Sequence, residues 1–488
     1  HGGGELSAPL AEAVLRYAGL GVLPCHTPGH KGGRGAHPLL RRFFTEEGLC
    51  ADVSLSAELD DLHAPTGCIR AAEKLAAEAY GADAAYFMVN GTTGAIHTML
   101  MASLAPGDVV LVPRNVHRSI VGAMILTGVH PVYLQPEIDT RLGIAMGVSL
   151  QAVEEAVRTH PEARAVLLVY PTYYGVATEL SAIADVLHAH DMLLLVDAAH
   201  GAHFAFSDEL PPSAMAAGAD LSAESTHKLL GSLTQTSMLL ARGGRVPAER
   251  IHAASGIMQS TSPNEILLAS LDLARAQMAA DGRERLAAAI CCADELRCRI
   301  NEIPGLWSFG AEYMGGAGRL ALDPLKITVQ VTGLGLSGFA AEAELRQRNI
   351  ACELADARNV LLLLSYADGA REAERIFAAL RDMAANCAPL CTSRGAASFL
   401  ALLPIPETVL SPRDAYFARG ERVPAEHAGG RISAETIVFY PPGIPVLAPG
   451  DRIDAETLRY LGAMKAIGAR VVGAADASLG TLMVIAKG

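Results

Sequence analysis

The sequence has 488 residues, 51% of them apolar, which is enough chain for more than one domain and for a large buried core. Its 39 Lys and Arg residues against 52 Asp and Glu residues leave a net charge of −13, which argues against nucleic acid or an anionic membrane as the main partner. No uninterrupted apolar run reaches the roughly 20 residues that span a bilayer, so no membrane segment is predicted.

The start of the chain and its cysteines indicate a cytoplasmic protein. No basic stretch followed by an apolar run opens the sequence, so no secretory signal peptide is predicted. The nine cysteines are odd in number, scattered and without CxxC spacing. This pattern is typical of reduced thiols rather than of a disulfide framework or a zinc site, and no metal site is predicted.

Residues 66–240 alternate between helical patterns and short apolar runs. In chain order they predict a helix ending at Gly81, a strand over 83–89, a helix after Asn90, a strand over 109–113, a helix over 117–128, and strands over 130–136, 164–171 and 190–200, with a helix over 180–190 before the last strand. Short apolar strands separated by helices predict a mostly parallel sheet covered on both faces, in which ligands bind at the C-terminal ends of the strands.

Residues 263–302 are strongly helical and are predicted to link a large domain to a smaller one. Beyond them, "KITVQVTG", "AEAELRQRNI" and "NVLLLLSYA" predict a strand, a helix and a strand, which is typical of a small α/β domain. A proline-containing break then opens a last portion dense in turn-forming residues. The predicted division is an N-terminal segment over 1–60, a large domain over 61–305, a small α/β domain over 306–390 and a C-terminal domain over 391–488.

Two motifs at predicted strand ends suit an anion and a cation. In "NGTTGA", residues 90–95, Gly91 allows close backbone approach, and Thr92 and Thr93 offer hydroxyl and N–H groups at a helix start, which suits a phosphate group. An ordinary helix cap is the alternative. In "LLLVDAAH", Asp197 ends an apolar strand, so its carboxylate needs a cationic partner such as a protonated ring nitrogen. A metal ligand or a structural cap is the alternative there.

Two further motifs carry a lysine and a histidine. In "STHK", residues 225–228, Lys228 can form a Schiff base if it lies in a low-dielectric pocket, and Ser225 and His227 can bind an anion. A solvated surface lysine is the alternative. In "PRNVHRS", residues 113–119, His117 either stacks on a flat ring or caps the helix that follows.

These motifs are more specific together than singly. A phosphate loop, then a strand-end carboxylate, then a lysine is the order found in fold-type-I pyridoxal-phosphate enzymes, where the three groups meet the cofactor's phosphate, pyridinium nitrogen and aldehyde. No GxSxG motif, Walker motif or GxGxxG motif after a first strand competes with this interpretation.

The sequence resembles the ornithine/lysine/arginine decarboxylase family over nearly its whole length. The resemblance rests on "HTPGHKGG" (26–33), "ELDDLHAPTG" (58–67), "NGTTGA", "PRNVHRS", "PTYYGV" (171–176), "VDAAHGAH" (196–203), "STHK", "STSPNEILLASLD" (260–272) and "YPPGIPVLAPGD" (440–451). It implies an α/β fold: a fold-type-I, aspartate-aminotransferase-like large domain with a mostly parallel seven-stranded sheet, and smaller α/β C-terminal domains. It also implies the compact form of the family, without an N-terminal wing domain.

The resemblance further implies pyridoxal 5'-phosphate as the cofactor, with Lys228 joined to it as a Schiff base and Asp197 paired with its pyridine nitrogen. Lys228 or His227 would return the proton to the substrate carbon. A Ser or Thr at 260–262 would reach the phosphate of a neighbouring subunit, so the active site would lie at the interface of a homodimer or larger homo-oligomer. The cofactor-binding residues implied in this way are Gly91, Thr92, Thr93, His117, Asp197, His200, Ser225, His227 and Lys228.

The implied reaction is the decarboxylation of a basic amino acid. L-arginine, giving agmatine for polyamine biosynthesis, is the first choice, with lysine giving cadaverine and ornithine giving putrescine as alternatives. A cationic substrate calls for an acidic group at its far end. The candidates are Asp60, Asp61, Glu265 and Glu435, each of which has a structural or surface role as its alternative.

Two rival functions stay open. Another fold-type-I activity, such as an aminotransferase or a carbon–sulfur lyase, would be expected to use a dedicated arginine for the substrate carboxylate, whereas Arg346, Arg348 and Arg358 have the pattern of ordinary helix or loop residues. A non-catalytic binding protein of the same fold is the rival from another class, and the presence of both Lys228 and Asp197 argues against it.

Overall fold

The computed structural model describes residues 7–54, 58–387, 404–439 and 443–487. The helices there are α1 (Pro9–Gly19), α2 (Glu46–Ala51), α3 (Cys68–Tyr80), α4 (Gly91–Ser103), α5 (Arg118–Thr127), α6 (Leu150–Thr159), α7 (Leu180–Ala189), α8 (Thr226–Leu229), α9 (Ala248–Met258), α10 (Glu265–Asn301), α11 (Gly338–Gln347), α12 (Ala370–Cys387), α13 (Pro412–Phe417) and α14 (Ala455–Ala466).

The strands of the same residues are β1 (Ala84–Met88), β2 (Val109–Pro113), β3 (His130–Leu134), β4 (Ile138–Asp139), β5 (Ile144–Ala145), β6 (Ala163–Val169), β7 (Val176–Ala177), β8 (Leu193–Asp197), β9 (Leu221–Glu224), β10 (Ser237–Ala241), β11 (Trp307–Ser308), β12 (Ala321–Leu322), β13 (Lys326–Gln330), β14 (Leu354–Ala355), β15 (Asn359–Leu363), β16 (Gly420–Pro424), β17 (Ile437–Phe439), β18 (Ile444–Leu447), β19 (Val471–Val472) and β20 (Thr481–Ile485).

Helix α3 illustrates why the predicted segments fold locally as they do. Its buried residues recur three or four positions apart, so one face of the helix is covered while the other is solvated. The helix ends at Gly81, whose φ of 65° is the left-handed conformation in which many helices end and which glycine adopts without strain. The helix end predicted at Gly81 is therefore confirmed.

The largest sheet has seven strands in the order β1-β10-β9-β8-β6-β2-β3. Strand β2 pairs in parallel with β3 and with β6, whereas β10 is antiparallel to both β1 and β9. The predicted α/β fold with a mostly parallel seven-stranded sheet is confirmed, and β10 is the strand that runs against its neighbours. The helix predicted over 263–302 is also present, as α10.

The chain divides into two compact units, which are called unit 1 and unit 2 below. Unit 1 comprises residues 1–103, 196–208 and 212–284, and unit 2 comprises residues 104–195, 209–211 and 285–488. In unit 1, α4 packs against α9, β9 and β10. The buried Asp272 of α10 accepts the Leu10 N–H of α1 at 2.9 Å and pairs with Arg275 at 2.5 Å, which ties α1 to α10.

Unit 2 contains a four-stranded antiparallel sheet in the order β11-β13-β15-β14, together with α11 and α12. The strand, helix and strand predicted there are β13, α11 and β15. Further along the chain, β18-β17-β19 form a second sheet over a core that includes Ile437, Val446 and Leu461. The predicted boundary at 390–391 lies outside the described residues, and the other domain boundaries stay predictions.

A buried ion pair connects two of the sequence motifs within unit 2. An Arg114 guanidinium nitrogen lies 3.0 Å from an Asp451 carboxylate oxygen, and the two side chains are 2% and 1% exposed. The same nitrogen donates to the Val446 carbonyl at 2.7 Å, and Asp451 accepts the Ala448 N–H at 2.8 Å. The end of β2 is thereby fixed to the turn after β18. Across the described ranges, no helix has both the length and the apolar character that a membrane crossing requires.

Candidate active site

Lys228 lies at the C-terminal side of the sheet, on the short helix α8 that follows β9. Its Nζ is 2.9 Å from Nε2 of His200, and the Lys228 side chain is partly buried. The next two residues, Leu229 and Leu230, are buried, with 2% and 6% of their surface exposed. The lysine predicted as the reactive group is therefore placed between an apolar segment and an imidazole, and not on an open surface.

Asp197 ends β8 and is 4% exposed. Its Oδ1 accepts the Ala199 N–H at 3.1 Å. Burial raises the pKa of this carboxyl, while the positive charge of Lys228 and the Ala199 N–H act in the opposite direction. Unit 1 thus brings together the predicted carboxylate, the predicted lysine and His200. Because the carboxylate of Asp197 is buried, its negative charge needs a cationic partner.

Three hydroxyl groups meet at the N-terminus of α4. Oγ1 of Thr92 lies 2.5 Å from Oγ of Ser225 and 2.8 Å from Oγ of Ser237. Ser237 in turn donates to the Glu224 carbonyl at 2.7 Å. The N-terminus of an α-helix carries unpaired N–H groups and a partial positive charge, so hydroxyl groups at this place form a site that suits an anion such as phosphate.

The two residues flanking Thr92 differ in their surroundings. Thr93 is exposed, whereas Thr92 is buried. Gly91 has a φ of 65°, and its N–H donates to the Gln235 carbonyl at 2.8 Å. This left-handed conformation favours glycine and starts the helix next to the hydroxyl groups.

His227 has one ring nitrogen engaged by the backbone. Its Nδ1 lies 2.6 Å from the Thr236 carbonyl oxygen, so Nδ1 carries the proton and donates. Burial lowers the pKa of His227, and the nearby positive charge of Lys228 also lowers it. The hydrogen bond to Thr236 acts in the opposite direction but does not reverse the shift. The ring is therefore neutral near neutral pH, with Nε2 as its proton-accepting nitrogen.

His117 and Glu435 belong to unit 2. His117 is the N-cap of α5, and its Nδ1 accepts the Ser119 N–H at 3.2 Å. Of the two roles that the sequence left open for His117, the structure shows helix capping, while ring stacking stays a prediction. Glu435 accepts the Ala475 N–H at 2.6 Å and the Met483 N–H at 2.7 Å, so both of its carboxylate oxygens hold backbone segments in place.

Asp60 is also engaged by the backbone. Its two oxygens accept five N–H groups at 2.7–3.2 Å, from Asp61, Thr66, Gly67, Ile69 and Arg70. Burial would raise the pKa of Asp60, but these N–H groups lower it below its ordinary value. The carboxylate caps the start of α3. Its neighbour Asp61 accepts the His63 N–H at 2.9 Å.

Glu265, the first residue of α10, differs from the other acidic candidates. Its side chain is 0% exposed, and both carboxylate oxygens are buried without a hydrogen-bond partner among the described residues. Burial raises the pKa of Glu265 to about 7, and the charges of Asp60 and Asp61 contribute. A buried carboxyl group with no donor and no cation is costly unless it is protonated or meets a ligand.

The sequence interpretation missed two groups that the structure places at this site. Ser237 completes the hydroxyl cluster from the first position of β10, 145 residues away from Thr92 in the chain. Glu224 lies beside Ser225 in sequence and is 2% exposed. A carboxylate so close to Lys228 in the "AESTHK" stretch was the available signal for Glu224, whereas nothing local marks Ser237.

The fold and this arrangement define a class of protein. A strand-end carboxylate, a lysine after the neighbouring strand and hydroxyl groups at a helix N-terminus, all on a mostly parallel sheet, form the pattern of a fold-type-I pyridoxal-phosphate enzyme. The sequence profile of the Orn/Lys/Arg decarboxylase major domain matches residues 8–372, and that of the family's C-terminal domain matches residues 396–484. The chain belongs to the Orn/Lys/Arg decarboxylase family.

Individual relatives agree with this membership. The arginine decarboxylase of Bacillus subtilis is 41% identical over 478 residues, 98% of this chain and 97% of the relative. That of Bacillus anthracis is 42% identical over 482 residues, covering 99% and 98%. The solved lysine decarboxylase LdcF of Francisella novicida superposes with a TM-score of 0.85 over 98% of this chain and 81% of that one, at 22% identity, which shows the fold. The predicted family and enzyme class, an amino-acid decarboxylase, are confirmed.

Proposed function

We propose that this chain is an arginine decarboxylase that converts L-arginine to agmatine and CO2 with pyridoxal 5'-phosphate as its cofactor. The choice of arginine as the substrate rests on sequence identity to named relatives. Four relatives that are 41–42% identical over 93–99% of this chain are named arginine decarboxylase. Lysine is the second candidate, because more distant relatives at 25–28% identity are named lysine decarboxylase.

The residues of unit 1 fit the cofactor. Lys228 supplies an amine for its aldehyde carbon, and the buried Asp197 supplies an anion for its ring nitrogen. The hydroxyl cluster of Thr92, Ser225 and Ser237 at the start of α4 suits its phosphate. When bound, pyridoxal phosphate supplies an electron sink for the electron pair that remains on the α-carbon as CO2 leaves.

The remaining groups orient the amine and handle the proton. His200 contacts Nζ of Lys228 and fixes its direction, while Leu229 and Leu230 limit the access of water. His227 is neutral and holds its proton on Nδ1 against the Thr236 carbonyl, so its Nε2 can take up and release a proton. We propose that Lys228 or His227 returns the proton to the substrate carbon.

We propose Glu265 as the carboxylate that receives the distal cation of the substrate. Its support is that both oxygens lack a partner among the described residues, whereas Asp60 and Glu435 use theirs on backbone N–H groups. Once ionised, the carboxylate of Glu265 matches the planar guanidinium of arginine through two hydrogen bonds, and the cation favours that ionised form. Glu265→Gln should raise KM for arginine by about 10- to 100-fold, the loss of one charge-assisted contact. An unchanged KM would assign the cation to another group.

The test of the function measures the products formed from arginine, lysine and ornithine in parallel. Agmatine and CO2 from arginine, with much less product from the other two, is expected. Cadaverine from lysine as the main product would replace arginine by the second candidate. Inactivity on all three, or a keto acid in place of CO2, would contradict the proposal. Lys228→Ala is the control, because it removes the amine that joins the cofactor and should abolish both activity and the absorption band of the Schiff base.

We further propose that the chain acts as a cytoplasmic homodimer. The support is four exposed apolar side chains on either side of Arg41 and Arg42: Leu39 at 57%, Leu40 at 40%, Phe43 at 80% and Phe44 at 44%. An exposed apolar patch marks a site of contact with another molecule, and a second copy of this chain is the partner that we propose. Light scattering should give the mass of a dimer or larger assembly, and Phe43→Glu should lower that mass. A monomer at micromolar concentration would refute this assembly.

A further inference from the structure

A second carboxyl group lies buried at the strand ends that carry Asp197. Glu224 is the last residue of β9, and β8, which ends at Asp197, is the neighbour of β9 in the sheet. The Glu224 side chain is 2% exposed, and its Oε1 accepts a hydrogen bond from Oγ of Ser222 at 2.8 Å. Its Oε2 is buried with no hydrogen-bond partner among the described residues. A carboxyl group in this position has a lower free energy as a neutral acid than as an anion.

When two buried carboxyl groups interact, the ionisation of one raises the pKa of the other. Asp197 is the group that ionises first, because Lys228 provides a positive charge and Ala199 provides an N–H donor. Glu224 has neither. Burial raises the pKa of Glu224 to about 8, against the Ser222 hydrogen bond and with a contribution from the charge of Asp197.

The other elements that pack on this position add little charge. Tyr80, at the end of α3, interacts with Glu224 electrostatically, and burial keeps the pKa of its phenol well above the ordinary value. Strand β10, which pairs with β9, has no titratable side chain, and α4 carries one, His97. In this set, before the cofactor binds, Asp197 is the anion on which the positive charge of Lys228 acts, and Glu224 is a neutral acid near neutral pH.

We propose that Glu224 is a positioning residue that keeps its proton near neutral pH, so that Asp197 is the single anionic carboxyl presented to the cofactor's ring, and releases it at alkaline pH. The inference rests on the proposed cofactor. One fixed anion suits one ring nitrogen, whereas a second anion on the adjacent strand changes the charge felt by the ring and by Lys228. When Glu224 ionises at alkaline pH, the site no longer presents a single anionic carboxyl to the ring.

The first test needs no cofactor and follows the proton itself by infrared spectroscopy. The difference between the unmodified chain and Glu224→Gln should show the carbonyl band of a protonated carboxylic acid at about pH 7, and this band should vanish as pH rises through about 8. Ser222→Ala should move that loss upward by about half to one pH unit, because the Ser222 hydroxyl favours the ionised form. Absence of the band at neutral pH would overturn the proposal.

The second test follows the visible absorption of the bound cofactor against pH. The unmodified holoenzyme should show a spectral step at alkaline pH, Glu224→Gln should lose it, and Ser222→Ala should move it upward. Glu73→Gln is the matched control, since Glu73 is another buried carboxyl whose pKa is raised to about 8, with the Phe87 N–H on its Oε1. Glu73→Gln should keep the step. A step that persists unchanged in Glu224→Gln would refute the positioning role. Failure of the chain to bind the cofactor would instead refute the proposed function, and the infrared measurement would then decide whether Glu224 holds a proton.

Discussion

Replacing Glu265 by Gln should stabilise the fold, and the gain should depend on pH. The carboxyl of Glu265 is fully buried, and neither oxygen has a hydrogen-bond partner among the described residues. Glutamine has nearly the same shape as the protonated acid but cannot ionise. The substitution therefore removes the cost of keeping a titratable group in this place without opening a cavity.

The size of the effect follows from the pKa of Glu265, which burial raises from 4.5 to about 7. In the unfolded chain the carboxyl ionises above about pH 4.5, while the folded chain holds it neutral until about pH 7, so the penalty grows between these values. One pKa unit corresponds to about 1.4 kcal/mol, so the penalty amounts to roughly 1 kcal/mol at pH 5 and about 3 kcal/mol at and above pH 7. Glu265→Gln should recover this amount.

The assay is urea unfolding of both proteins at about pH 5 and pH 8, with the difference in free energy taken at each pH. Asp60→Asn is the contrasting variant, since Asp60 accepts five N–H groups and its amide analogue leaves several of them without an acceptor. It should lose about 2 kcal/mol or more. A Glu265→Gln variant that is less stable than the unmodified chain at pH 8, or equally stabilised at both pH values, would refute the reasoning.

Two further changes test the ion pair and the hydroxyl cluster. Asp451→Asn leaves the guanidinium of Arg114 buried without its anion and should lower the free energy of unfolding by about 3–5 kcal/mol, as measured by urea denaturation. A loss below about 1 kcal/mol would show that water reaches the ion pair. Thr92→Val removes the hydroxyl shared with Ser225 and should weaken cofactor binding by about tenfold or more in an absorbance titration. Thr98→Val, on the same helix and buried without a hydrogen-bond partner among the described residues, should leave that affinity unchanged, and equal losses in both would point to damage of α4.

The elements that the sequence predicted well are those whose cause is local. The period of buried residues in α3, the glycine at its end and the apolar run of β8 are each decided by neighbours a few positions away. The order along the chain of the Thr92 segment, Asp197 and Lys228 is likewise visible in the sequence. Local causes do not reveal which strand runs against its neighbours, and the antiparallel direction of β10 was not predicted.

The acidic candidates show where sequence reasoning stops. Asp60 and Glu265 are both carboxylates in conspicuous motifs, yet one is enclosed by five backbone N–H groups and the other meets none among the described residues. The difference lies in how the loop before α3 wraps around a side chain. Composition and spacing carry no information on that geometry.

The sequence by itself determined the class of fold, the family motifs and the position of Asp197 at the end of a strand, because hydrophobic period and turn chemistry act over short distances. Only the tertiary structure decided which side chains lie close to one another and which of them are buried. It brought Ser237 to Thr92 across 145 residues and placed Glu224 and Asp197 on adjacent strands. Charge state depends on burial and on neighbours in space, so the proton on Glu224 and the unsatisfied carboxyl of Glu265 are properties of the folded chain.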